Sequence, residues 1–210
     1  MSGEQQQLVQ EAAALGVPLQ EDQAGRALRL LDELSVWNRT YNLTAITDRT
    51  AMIRAHLLDS LSAYPELRGR RIADVGTGAG FPGLPLALVA PRCEFTLIDS
   101  VAKKLRFVTH AVRTLQLTNV VVQQARIETL APNIPYDTVM ARAFATLADL
   151  VAGCHGLCGP QTRIVAFKGQ YPKQELAELP HGWRLERARA VHIPQLDAER
   201  HLLILVRQAY

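Results

Sequence analysis

Asp74-Val75-Gly76-Thr77-Gly78-Ala79-Gly80-Phe81-Pro82-Gly83 is the stretch on which the fold turns. The apolar run before it, residues 71–75, reads as a strand. Pro82 reads as the opening of a helix, where its missing N–H has no partner to lose. From Gly76 to Gly83 four of eight residues are glycine. Glycine admits positive φ and lets a ligand reach the main chain, and free N–H groups at the helix start are expected to face that ligand. Gly78-x-Gly80-x-x-Gly83 matches the dinucleotide fingerprint, and Asp99 follows about where that motif places a ribose-binding acid. Strand, turn, helix and acid in this order point to an adenosine-containing cofactor, either a nicotinamide dinucleotide or S-adenosylmethionine. A glycine-rich strand-to-helix turn is also a common structural connection.

Outward from the turn, the chain alternates. Strands are expected at 71–75, 94–98, 119–123, 137–141 and 162–168, and helices at 82–90, 101–116, 146–157 and 172–179, with a short helical turn near 126–130. Two extended runs, 183–193 and 200–207, flank a loop holding Pro194 and Asp197 and read as an antiparallel hairpin. Upstream, Leu28, Leu31, Leu34 and Trp37, then Ile53, Leu57, Leu61 and Tyr64, draw apolar stripes at helical spacing. The hairpin separates the two cofactors. Dinucleotide-binding domains continue into a second βαβ half, whereas seven strands with a reversed last strand resemble the class I S-adenosylmethionine-dependent methyltransferase (Rossmann-like α/β) fold. Nor does the chain offer a separate substrate domain or a His/acid or Tyr/Lys pair for hydride transfer. The expected organisation is a methyltransferase domain at 67–210 with a helical extension, 1–66, packed on it.

The chain has 210 residues, enough for one domain with a substantial core, and 48% are hydrophobic. No apolar run approaches the ~18 residues of a membrane span, and the polar start is not a signal peptide. Cys93, Cys154 and Cys158 form no disulfide framework. Cys154-His155-Gly156-Leu157-Cys158 lacks a second ligand pair at zinc spacing. Reduced cysteines and no metal are therefore expected, in a cytoplasmic protein. Net charge is +3, with −2 over residues 1–70 and +5 over 71–210. This permits a polyanionic partner for the second part. Lys103, Lys104, Arg106 and Arg113 share one predicted helix and Arg184, Arg187 and Arg189 one predicted strand. The helix group reads as a solvated face or a nucleic-acid contact.

Several further segments carry a specific likeness. Trp37-Asn38-Arg39-Thr40-Tyr41-Asn42-Leu43-Thr44 precedes Arg54-Ala55-His56-Leu57-Leu58-Asp59-Ser60. Then come Phe95-Thr96-Leu97-Ile98-Asp99-Ser100 with Lys103-Lys104, Ala141-Arg142-Ala143-Phe144-Ala145, Phe167-Lys168-Gly169 and Glu199-Arg200-His201-Leu202. In this order and spacing, over about residues 25–207, the chain closely resembles the RsmG family (glucose-inhibited division protein B). The resemblance implies methyl transfer from S-adenosylmethionine to ring nitrogen 7 of a guanine in a decoding-region loop of 16S rRNA. The partner is then the small ribosomal subunit or its precursor, and the protein is expected to act as a monomer.

The resemblance also implies a cofactor site made by Gly76, Phe81, Ile127, Glu128 and Arg142. Asp99 joins it by fold logic, as acceptor from the ribose hydroxyls. Gly76 lets the backbone approach the methionine portion or ribose, while Ile127 and Glu128 fall where this fold places adenine. Arg142 has a planar fork suited to the methionine carboxylate or an RNA phosphate, and Lys168 is a further candidate for a phosphate. Trp37, Asn38, Tyr41 and Asn42 suit an unpaired base, though Trp37 lies on the apolar stripe and is expected to pack. His56 and Asp59 sit one helical turn apart, able to touch each other or a neighbour, with no third ligand for a metal. Nitrogen 7 of guanine carries a lone pair and no proton at neutral pH. No catalytic base is therefore expected, and no catalytic residue is assigned.

Overall fold

In the computed structural model of the chain, residues 2–144 and 146–208 are described. Three helical segments lead: α1 (Gly3–Ala14), α2 (Glu21–Tyr41) and α3 (Arg49–Met52), the last running through a π-helical stretch (Ile53–Leu58) into α4 (Asp59–Leu61). Strand and helix then alternate: β1 (Arg71–Val75), α5 (Gly83–Val89), β2 (Glu94–Asp99), α6 (Ala102–Thr114), β3 (Val120–Gln124), β4 (Tyr136–Arg142), α7 (Leu147–Gly153), β5 (Cys158–Lys168) and α8 (Lys173–Ala177). The hairpin β6 (Trp183–Ala190) and β7 (His201–Arg207) closes the chain.

The strands form one seven-stranded sheet in the order β3-β2-β1-β4-β5-β7-β6. All pairings are parallel except those of β7, which runs antiparallel to both β5 and β6. Side chains alternate faces with period two, so each strand feeds two cores. Ile72, Met140, Val165 and Ile204 pack with the N-terminal helices, α5 and α6; Ala73, Val139, Ile164 and Leu205 pack with α7 on the other face. Strand order reverses between β1 and β4. Ligands of open α/β sheets bind beyond the strand carboxyl ends at such a point, and Gly76 and Arg142 both lie there.

Most expected elements form within a few residues of their predicted bounds. The expected helix at 146–157 is shorter: α7 ends at Gly153, and a tight 3-10 turn (His155–Leu157) follows. Gly156 explains the tightness, since a Cβ there would lie 2.2 Å from the Leu130 carbonyl oxygen. The π-helical stretch at 53–58 is a larger departure. The apolar stripe Ile53, Leu57, Leu61, Tyr64 has the same look in either helix type, so nothing in the pattern announced it. Every residue from Arg54 to Leu61 is buried, whereas an amphipathic α-helix keeps one face wet.

Candidate active site

The glycine turn is held from inside by two carboxylates. Asp74 is fully buried at the end of β1, and its Oδ2 accepts from Thr77 Oγ1 (2.6 Å) and from the Gly83 N–H (2.8 Å). Burial pushes its carboxyl up to about 6, against the lowering effect of those two donors. Asp99 Oδ2 accepts from the Gly78 N–H and Oδ1 from the Val101 N–H, each at 2.9 Å. One acid thus ties the turn to α5, and the other ties it to the end of β2.

The four glycines divide by function. Gly76 and Gly78 have φ of +66° and +60°, and a Cβ at Gly76 would meet nothing within 4 Å. These two leave open space, and with Gly80 (φ +88°) they bend the chain. At Gly80 a Cβ would fall 2.3 Å from Leu84 Cδ1, and at Gly83 2.7 Å from Asp74 Oδ2. Those two are small because the protein itself comes close. The helix start does not present free donors, contrary to the sequence expectation: Phe81 N–H donates to Thr77 O, Gly83 N–H to Asp74 and Leu84 N–H to Gly80 O. The turn is too tight to leave them open.

Beyond Gly76 lies a cavity of about 270 Å³, bounded by Asp99 and Ser100 at the end of β2, by Ala125 to Glu128 after β3, and by Phe144 after β4. It gathers four of the six expected cofactor residues: Gly76, Asp99, Ile127 and Glu128. Open glycine on one side, a carboxylate with spare lone pairs beside it and a buried isoleucine opposite suit an adenosine moiety. Phe81 and Arg142 lie apart from this group. Phe81 is only 3% exposed, stacked on His56 with ring centroids 4.9 Å apart, and the Arg142 guanidinium sits 5.7 Å from its centroid.

Arg142 and His56, with Phe81 packed against both, line a second cavity of about 470 Å³, bounded also by Ala55, Asp59, Phe167, Lys168 and Arg200 and sharing Phe144 with the first. Asp59 is buried, with Arg142 Nη1 and Arg200 Nε each 3.4 Å from a carboxylate oxygen. Burial raises its carboxyl's proton affinity, and the two arginines oppose that. Arg142 Nη1 also donates to the Ala55 carbonyl (3.1 Å). His56 Nε2 lies 2.9 Å from Thr44 Oγ1, while its buried Nδ1 has no partner. Burial and then the Arg142 charge hold the imidazole down to about 4, so it is neutral at physiological pH. Thr44 is fixed in turn by Asn38, whose amide donates to the Thr44 carbonyl and accepts from its N–H, both at 2.9 Å. Lys168 Nζ binds Glu175 at 2.8 and 3.0 Å.

His56 and Asp59 therefore do share a site, each held by its own neighbours and not by the other. Trp37 packs, as expected, edge-on to Phe107 and beside His110. Arg187 and Arg189 of the basic strand bind the buried Glu66. Phe144 and Arg200, which line the second cavity, had no role assigned from sequence, whereas Thr44 holds His56 without lining that cavity. The best signal for Phe144 is its neighbour Ala143, which holds φ +61°, a strained conformation for a non-glycine residue. Among the described residues no group of three or more His, Cys, Asp or Glu is placed to hold a metal, and no helix is long and apolar enough to cross a membrane.

Comparison with solved structures gives the fold. The chain matches a DhpI–SAH complex (TM-score 0.58, 13% identity, 86% of this chain and 98% of that one). It also matches a SAM-dependent methyltransferase from Aquifex aeolicus (TM-score 0.56, 17% identity, 74% and 93%). This is the class I S-adenosylmethionine-dependent methyltransferase architecture, with the two cavities where its sheet reverses. Sequence comparison is closer. Ribosomal RNA small subunit methyltransferase G of Aeromonas salmonicida (strain A449) is 44% identical over 188 residues, 90% of each chain. The protein of that name from Hahella chejuensis (strain KCTC 2396) is 42% identical over 202 residues, 96% of this chain and 93% of its own. The family model described as rRNA small subunit methyltransferase G matches residues 23–203, which span the glycine turn, both cavities, β6 and the start of β7. The chain belongs to the rRNA small subunit methyltransferase G (GidB) family.

Proposed function

We propose that the chain transfers a methyl group from S-adenosylmethionine to ring nitrogen 7 of a guanine in small-subunit (16S) ribosomal RNA, with the nucleoside of the donor in the smaller cavity and the target base in the larger. The observation that carries this reading is the pair of cavities, one floored by glycine and the other lined by cations, meeting at Phe144 where the strand order reverses. Residues 67–210 form the methyltransferase domain. Residues 1–66 are an extension of it that supplies one wall of the acceptor cavity through Ala55, His56 and Asp59.

S-adenosylmethionine, when bound, supplies a methyl group on a positively charged sulfur. Gly76 gives its ribose room, Asp99 accepts from ribose hydroxyls with the lone pairs not used by Gly78 and Val101, and Ile127 and Glu128 flank the adenine. Arg142 and the ring of Phe81 shape the end nearest the acceptor. Guanine nitrogen 7 attacks through its own lone pair, so alignment and exclusion of water dominate over proton transfer. Positive charge passes to the purine during that step. A neutral His56 does not oppose it, and the Asp59 carboxylate between Arg142 and Arg200 keeps the two cations from doing so. Three cations against one carboxylate on the cavity wall suit a nucleotide with its phosphate. Nitrogen 7 lies in the deep groove of A-form RNA, out of reach of side chains, so the target is a loop or flipped base.

The test is to incubate the protein with labelled methyl donor and small subunits, or their RNA, lacking this modification, and to map 7-methylguanosine. Label in a ribonuclease-resistant fraction, or on another atom, rejects the assignment. Asp59→Asn should retain transfer at a rate lowered about tenfold, against the ~10²–10⁴-fold typical of losing a general base. Complete loss in a folded variant with unchanged affinity for the demethylated donor would reject the base-free step.

A further inference from the structure

The facing surfaces of α2 and α6 carry a feature the fold does not require. Trp37 and Tyr41, one turn apart on α2, stack with centroids 5.2 Å apart and planes at 25°. Trp37 is anchored below by Phe107 of α6, but Tyr41 is half-exposed, and over its ring lies the ammonium of exposed Lys103, 5.7 Å from the centroid. Arg106, one turn after Lys103 on α6, is exposed as well. Residues 35–41 and 102–114 contain no acidic residue, and the acid that α2 does bring to α6, Glu33, is engaged by His110 at 2.7 Å. A solvated helix face ordinarily mixes both signs. Apart from the Glu33–His110 pair, this one carries only cations, one of them over an aromatic ring.

Its position ties it to both cavities. Tyr41 is three residues from Thr44, whose hydroxyl contacts His56, so its Cα is within about 11 Å of Thr44. The αL cap at Asn42 (φ 50°) makes the turn between them. On the other side, α6 begins just after Ser100, which lines the smaller cavity.

We propose that Tyr41, with Lys103 and Arg106, is a docking platform for an unpaired RNA nucleotide adjacent to the base being methylated. This rests on the reading of the larger cavity as the acceptor site. The base stacks on Tyr41 and displaces Lys103, because stacking of a base on an aromatic ring outweighs a solvent-exposed cation–π contact. The freed ammonium then pairs with the flanking phosphate. Trp37 stiffens the platform from behind. RNA is the occupant the observations favour, since a row of cations without acids matches a phosphate chain and an exposed ring matches a base of any sequence.

Two measurements test this. In a Trp183→Phe background, Trp37 is the sole tryptophan, so its emission should change on titration with unmodified small-subunit RNA, whether or not methyl transfer follows. Second, Lys103→Glu with Arg106→Glu, both at exposed positions, should raise the KM for that RNA about tenfold and flatten its salt dependence. Affinity for the demethylated donor should stay unchanged. Tyr41→Ala should raise that KM similarly and Tyr41→Phe should not. An unchanged emission, or an unchanged RNA KM in the charge-reversal variant, overturns the platform. RNA that binds with the Trp37 signal but receives no methyl group would instead overturn the proposed function and leave the platform standing.

Discussion

Asp74 and His56 are both buried and both titrate in the folded protein far from their ordinary values, in opposite senses. The Asp74 carboxyl is pushed up to about 6 by burial, so its ionisation destabilises the fold. That penalty is full above pH 6 and disappears as pH falls toward the ordinary aspartate value near 4. His56 is held down to about 4. Keeping it neutral costs nothing above pH 6.5, and stability is lost as pH falls from there toward 4. Each effect is on the order of 3 kcal/mol across nearly the same window, so in the native protein they offset one another. Removing either exposes the other. Asp74→Asn should melt above the native protein at pH 6.5 and lose that margin as pH drops to 4, whereas His56→Gln should melt increasingly above it over the same range, followed by circular dichroism. Parallel melting curves for all three would show that neither group titrates as its burial requires. Neither shift was visible in the sequence, where Asp74 was the last polar residue of a strand and His56 one of several candidates on a helix.

At the scale of elements, the glycine turn shows two kinds of glycine serving one loop. Gly76→Ala places a methyl group in open space at φ +66°, at a backbone cost of ~1–2 kcal/mol. The variant should therefore fold cooperatively yet lose affinity for the demethylated donor, measured by calorimetry. Gly83→Ala drives a methyl group to 2.7 Å from Asp74 Oδ2 and 2.9 Å from Leu97 Cγ. It should lose ~1–3 kcal/mol through overpacking and, where it still folds, bind the donor product nearly normally. The reverse pattern would mean that Gly83 and not Gly76 faces the ligand. The spacing of the motif treats all four glycines alike. Only the neighbours of each missing Cβ tell them apart.

At the scale of the whole molecule, the N-terminal helices and the closing hairpin are fastened through Glu66, which is 1% exposed and contacts Arg163, Arg187 and Arg189. Arg189 also donates to the Ser62 carbonyl. Because Arg187 and Arg189 are partly solvent-exposed, Glu66→Ala should cost ~2–3 kcal/mol, less than a fully enclosed pair, lowering the melting temperature by roughly 5–10 °C in one transition. Two separate transitions would mean that residues 1–66 and 67–210 fold independently. Deleting 1–66 should give an aggregating chain, since Leu30, Leu34, Leu57 and Leu61 cover the same sheet face as Ile72, Leu84 and Phe95. The sequence by itself determined the alternation of strand and helix, the reversed last strand, the glycine turn and the family, because each is written in local periodicity or in runs of neighbouring residues. The family likeness grouped Gly76, Phe81, Ile127, Glu128 and Arg142, and fold logic added Asp99; four of these six line one cavity at the strand ends. Only the tertiary structure decided that Phe81 lies beneath His56 and Arg142, that the start of α5 keeps its N–H groups for the protein, and that Thr44 holds His56 while Phe144 and Arg200 line the second cavity. Apart from those at the start of α5, the contacts join residues from a dozen to more than a hundred positions apart. They depend on a π turn, an αL cap and an ion triad whose geometry exists only once the layers have packed.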